Sequence, residues 1–133
     1  MVIRSLKILG WIVGLALIAL GAGRIALPVE TIPGSTGRLT ASLDSETRAG
    51  GVLLVGLGFA YIWAVRQPQI PVTLLRALST IMGALAFSRL ISAVAVGLHH
   101  PIFAAAAVAE TVAAALTLWY STMSPNPPAA GVG

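Results

Sequence analysis

Four long apolar runs constrain this chain more than any other feature. They cover about residues 8–27, 49–65, 72–98 and 101–123, and a bilayer-spanning helix needs about 20 predominantly apolar residues. A soluble fold of 133 residues has no means of hiding four such runs, because small domains leave a large share of their surface exposed. Only 9% of the residues are charged, against about 25% in an ordinary soluble domain. The expected fold is therefore all-α: one integral membrane four-helix bundle over residues 1–123. The connections QPQIP and LHHP are short, which forces antiparallel, up-down neighbours. Pro28 ends the first run, and Pro101 opens the fourth at a position that suits proline. The tail SPNPPAAGVG, residues 124–133, is too rich in proline and glycine to continue a helix and is expected to be disordered.

The basic residues set an expected orientation. Arg4 and Lys7 precede the first run, Arg66 follows the second and Arg76 opens the third. An even number of crossings puts them on one side, and only Arg38 and Arg48 fall in the opposite loop. The positive-inside rule then places both termini in the cytoplasm. Trp11, Trp63, Trp119 and Tyr120 gather at the same ends of their runs, as an interfacial belt does. The N-terminus also has the basic, apolar and small-residue order of a secretory leader, with Gly21–Gly23 as the small segment. Cleavage there would leave an odd number of spans, so the first run is read as a retained helix. Between the first two runs, Asp44 or Ser45 is expected to cap the second helix, with Glu46 in its first turn, near the positive end of the dipole.

Several function classes drop out. There is no cysteine, which excludes disulfides, thiolate metal sites and a cysteine nucleophile. The basic residues are scattered singly, unlike a nucleic-acid footprint. GGVLLVGLG matches neither a phosphate loop nor a dinucleotide fingerprint. His99 and His100 have only Glu110 as a nearby ligand, too few for zinc, so no metal or cofactor is expected. No inverted repeat or broken helix marks a transporter.

What remains is a charge pair inside apolar sequence. Arg89 lies ten residues before His99, and Glu110 ten residues after His100. At 1.5 Å per residue both sit about 15 Å below the turn between the third and fourth helices. An isolated charge there costs at least about 2.5–3.5 kcal/mol on insertion scales, so the two are expected to face each other, away from lipid. Glu110 shares its face with Ala106, Ala107, Ala113, Ala114 and Thr117, and small residues let membrane helices approach closely. Gly10, Gly14 and Gly21 make a similar stripe on the first helix, and Gly51 and Gly58 on the second, beside Val55. On the outer half each stripe ends in a charge. Arg24, Glu46, Arg48, Arg89, Glu110 and His99 are thus expected to converge in a pocket open to the extracytoplasmic side. Against that, Arg89 with Glu110 also suits a purely structural pair, Arg24 is near enough to the interface to snorkel, and both histidines suit an interfacial turn.

The segments ETRAGGVLLVGLG and GALAFSRLISAVAVGLHHP, followed by a glutamate in the last helix, resemble the DUF4345 family of small bacterial four-helix membrane proteins. The likeness covers about residues 8–120 and rests on Glu46, Arg48, Gly50, Gly51, Arg89, Pro101 and Glu110. Ser88 stands where the family usually has glycine, and the histidine pair replaces an acidic-glycine turn, so no role needing an acid at the turn carries over. The resemblance implies the fold and a multi-pass place in a bacterial inner membrane; the family brings no established activity.

Three functions fit. One is a non-enzymatic module or accessory subunit that docks on a larger membrane complex, or on its own copies. A second is a binder of a lipid or isoprenoid-like molecule in the outward pocket. The third is an intramembrane enzyme of isomerase, cyclase or epoxide-opening type, with Glu110 as acid or base and Arg89 beside it. An arginine partner generally favours an ionised carboxylate, whereas a general acid must keep its proton. The sequence therefore favours the module, binding a partner or a lipid.

Overall fold

A computed structural model of the chain describes residues 1–34, 37–97 and 100–123. Among them the chain is all-helical: α1 is Val2–Ala26, α2 Ala41–Arg66, α3 Val72–Val96 and α4 Pro101–Thr122. All four are long and apolar enough to cross a membrane. The expected tail, 124–133, lies outside the described residues.

The helices outrun the apolar runs at two ends. α1 starts at Val2, before Arg4 and Lys7. α2 starts at Ala41, and its cap is Thr40, whose hydroxyl accepts the Leu43 amide at 3.3 Å. Asp44 and Ser45 are therefore not the cap, and Glu46 lies beyond the first turn. Hydropathy marks what the bilayer covers, whereas a helix continues into the interface wherever its amides are satisfied. At the other hairpin, His100 caps α4: its Nδ1 accepts the Ile102 amide at 3.3 Å, with Pro101 at the first helical position. α3 ends at Gly97, whose φ of 85° is a conformation that favours glycine.

The bundle is two hairpins. α1 packs along α2, and α3 along α4, far more extensively than the hairpins pack on each other. The α1–α2 contact is made of backbone. A Cβ on Gly14 would stand 2.9 Å from the Gly58 carbonyl oxygen, and one on Gly58 would stand 2.5 Å from that of Gly14. Gly21 and Gly51 repeat this reciprocal approach at 2.5 and 2.7 Å. The two pairs are seven residues apart on each helix, the repeat of a coiled-coil seam. Nearer the termini Val65 fills the space beside Gly10. Between helices in lipid there is no hydrophobic push, so such close approach supplies the attraction through dispersion. All five predicted packing glycines are buried at this seam.

The hairpins join at one end, here called the terminal end because Met1, the 66–72 connection and Met123 lie there. The shared core holds Leu6, Leu17, Tyr61, Ala64, Val65, Leu75, Leu78, Met82, Ala113 and Tyr120. Tyr61 of α2 meets Thr117 of α4 at 3.0 Å, and since the Thr117 hydroxyl donates to the Ala113 carbonyl, the tyrosine is the donor. Within the first hairpin, Lys7 Nζ donates to the Gln67 carbonyl at the end of α2, at 3.2 Å. The cavity here is about 20 Å³, room for little beyond one water. Tyr120 belongs to this core, at 3% exposed, rather than to the aromatic belt. Trp11, Trp63 and Trp119 are exposed as the belt requires.

At the distal end the core stops. No buried residue on α3 lies beyond Ala86, and none on α4 precedes Ala113. α1 and α2 stay zipped at Gly21 and Gly51, so it is between the hairpins that the distal half stands open.

Candidate functional site

The inward stripe of α3 runs Leu75, Leu78, Met82, Ala86. Three- and four-residue steps continue it to Arg89, Ala93 and Val96. On α4 the inward stripe runs from Tyr120 through Thr117 and Ala113, and the same steps lead to Glu110 and Phe103. The charged residues therefore sit where each stripe leaves the packed core. They meet: Arg89 Nε donates to Glu110 Oε2 at 2.8 Å, and Nη2 to Oε1 at 2.9 Å. The side chains are 22% and 13% exposed. This is the parallel two-bond geometry in which guanidinium and carboxylate satisfy each other best. Below the pair, Ser79 Oγ donates to the Ala114 carbonyl at 2.7 Å, a close approach made possible by the alanines of α4.

Beyond the pair is a groove of about 290 Å³, lined by Ser88, Arg89, Ser92, Ala93, Val96 and Phe103, together with Gly97. It occupies the distal continuation of the α3 and α4 inward faces. Its base is charged, its α3 side carries two hydroxyls and its rim is apolar. The Ser88 hydroxyl donates its one proton to the Leu85 carbonyl at 2.8 Å.

Arg24 lies in the last turn of α1 and is not among the residues that line the groove. Its Nε is buried without a hydrogen-bond partner among the described residues. It turns inward instead of snorkelling. Gly51 makes this possible, since a Cβ there would stand 3.1 Å from that of Arg24.

The rest of the expected convergence does not form. Arg48 is exposed and pairs within its own helix, Nε to Asp44 Oδ2 at 2.9 Å and Nη2 to Oδ1 at 3.2 Å. Its Nη1 donates to the Ile25 carbonyl at 2.5 Å, so it ties α2 to the end of α1. Asp44, one turn away, takes Nε and Nη2, and Ile25 takes Nη1, so no guanidinium nitrogen is left for the charges of α3 and α4. Glu46 is exposed and makes no ion pair with a described residue. His99 lies outside the described residues. No group of three or more potential metal ligands occurs among the described residues. Tyr61 was missed as a contact between hairpins, although a tyrosine amid apolar helix sequence signals a buried hydroxyl in need of a partner.

Fold and site together define a multi-pass membrane protein: a four-helix bundle closed at the terminal end, with an ion pair at the base of its open half. Residues 5–121 match the model of a domain of unknown function, DUF4345, and the chain belongs to that family. No curated protein and no solved structure matches it.

Proposed function

We propose that this protein is a non-enzymatic membrane module that holds an amphiphile in its distal groove. The observation that carries this reading is the groove itself: the inward faces of α3 and α4 continue past their last buried residues, Ala86 and Ala113, and they present Arg89, Ser88 and Ser92 beneath an apolar rim. A bilayer leaves no void beside such a surface. An apolar wall with a few convergent polar groups is the composition of a ligand site, and about 290 Å³ suits part of a lipid or a small isoprenoid-like molecule. Arg89 engages both carboxylate oxygens of Glu110, and a proton-transfer role would have to work against that pairing, which weighs against the enzymatic alternative. The outer faces of α3 and α4, with Phe87, Leu90 and Val108 exposed, are what lipid covers in any bundle, so they favour no accessory-subunit role. Arg4, Lys7, Arg66 and Arg76 on the terminal side support a bacterial inner-membrane placement with cytoplasmic termini, which opens the groove outward.

The test is lipid mass spectrometry on the full chain purified in mild detergent. The wild type is expected to retain a discrete amphiphile, and Ala93→Phe, which fills the groove, is expected to lose it while keeping its helical circular dichroism. A wild type that retains nothing, or an A93F variant that retains as much, would remove the basis of the proposal.

A further inference from the structure

We infer that the occupant of the distal groove is an uncharged amphiphile whose polar end is a hydroxyl or carbonyl oxygen, and that the Arg89–Glu110 pair excludes charged headgroups. This rests on the amphiphile reading above and adds the chemistry of the ligand's polar end. Arg89 is the one charged side chain among the described residues that line the groove. Its charge is met by two parallel bonds to Glu110, at 2.8 and 2.9 Å, so the base of the groove is polar but neutral as a unit. An anionic headgroup would compete with Glu110 for one guanidinium, and a cationic one would compete with Arg89 for one carboxylate. Either leaves a charge in excess within a membrane bundle, where an uncompensated charge is expensive.

What the groove keeps is hydrogen-bonding capacity. Arg89 Nη1 makes no hydrogen bond to a described residue. In a pair made through Nε and Nη2, it is the nitrogen on the other edge of the rigid guanidinium, turned from the carboxylate. Ser92 is exposed on the groove wall and brings a hydroxyl that can donate or accept. Ser88 gives its one proton to the Leu85 carbonyl, so its oxygen can only accept. A ligand hydroxyl uses both the donors and the acceptors, and a ligand carbonyl uses the donors. Ala93, Val96 and Phe103 then cover the first methylenes of the chain.

The experiment offers the full-length protein probes that share one chain and differ in headgroup charge: oleyl alcohol, oleyl sulfate and oleyltrimethylammonium. They are mixed at equal concentration into phosphatidylcholine nanodiscs, and bound species are read by native mass spectrometry. Wild type is expected to favour the alcohol over either ion by about tenfold, and Ala93→Phe, which fills the groove, is expected to lose it. Glu110→Gln leaves the guanidinium without its counter-charge, so its preference is expected to turn to the sulfate. The double variant R89M/E110Q has neither charge nor Nη1 at the base; it is expected to hold the alcohol about tenfold more weakly and still to reject both ions. It carries the test if Glu110→Gln does not assemble, as judged by helical circular dichroism. A wild type that prefers the sulfate or binds all the probes alike would overturn the inference. So would a folded E110Q variant that keeps the alcohol preference, or a double variant that binds the alcohol as tightly as wild type. If wild type binds none of the probes, or A93F binds the alcohol undiminished, the groove reading itself fails; binding with another headgroup preference defeats only the present inference.

Discussion

Replacing Arg89 with methionine strands the Glu110 carboxylate in the open half of the membrane bundle. Breaking a buried pair by removing one partner costs about 3–5 kcal/mol, because the survivor stays desolvated. Here the side chains are 22% and 13% exposed and the groove admits polar atoms, so a cost at or just below that range is expected, about 2–3 kcal/mol. Glu110→Gln leaves the guanidinium unpaired but next to a neutral amide that still accepts one bond, and about 1–2 kcal/mol is expected. The double variant has no charge to strand and should lie within about 1 kcal/mol of wild type. The coupling between the sites is then about 2 kcal/mol or more, far above the few tenths expected of independent positions. Reversible unfolding in mixed micelles, followed by far-UV circular dichroism, measures all four corners of the cycle. If the double variant is destabilised by the sum of the two singles, the pair does not hold α3 to α4, and the base of the groove has been misjudged.

Two further outcomes follow from the packing. Gly58→Ala should force α1 and α2 apart, since its Cβ would stand 2.5 Å from the Gly14 carbonyl oxygen; a loss of about 1–3 kcal/mol is expected, whereas Gly56→Ala, which meets nothing within 4 Å, should change stability by less than about 0.5 kcal/mol. Equal effects in the same unfolding assay would contradict the backbone seam. Tyr61→Phe removes the one side-chain hydrogen bond between hairpins among the described residues, worth about 0.6 kcal/mol in a membrane. Hydrogen exchange in α4 around Thr117 should rise while the α1–α2 seam stays protected, and a uniform rise would argue against two semi-independent hairpins.

The parts legible in the sequence were those governed by the bilayer. Four spans follow from apolar length, and the Arg89–Glu110 pair from the expense of a lone charge at matched depth on neighbouring helices. The seam glycines show as a stripe because only close backbone approach explains them. Arg48 was misplaced because span-level reasoning weighs partners across the bundle, while Asp44 sits one turn away and costs nothing to reach. Thr40 and His100 were missed as caps because the apolar runs do not mark where a helix begins in the interface. Tyr120 looked like a belt residue because it follows Trp119, but helical geometry turns adjacent side chains about 100° apart, which sends one to lipid and the other to the core. The open distal half was the least legible feature. Periodicity tells which face of α3 points inward, not whether anything stays packed against it along its whole length.

The central claim is most directly tested by an experimentally phased density map of the full chain in lipid nanodiscs. An elongated non-protein feature should lie in the distal groove over α3 and α4, with its polar end against Arg89 and its chain along Val96 and Phe103. Helices closed tightly on one another from Glu110 to Gly97, with side chains filling that space, would show that no ligand site exists there.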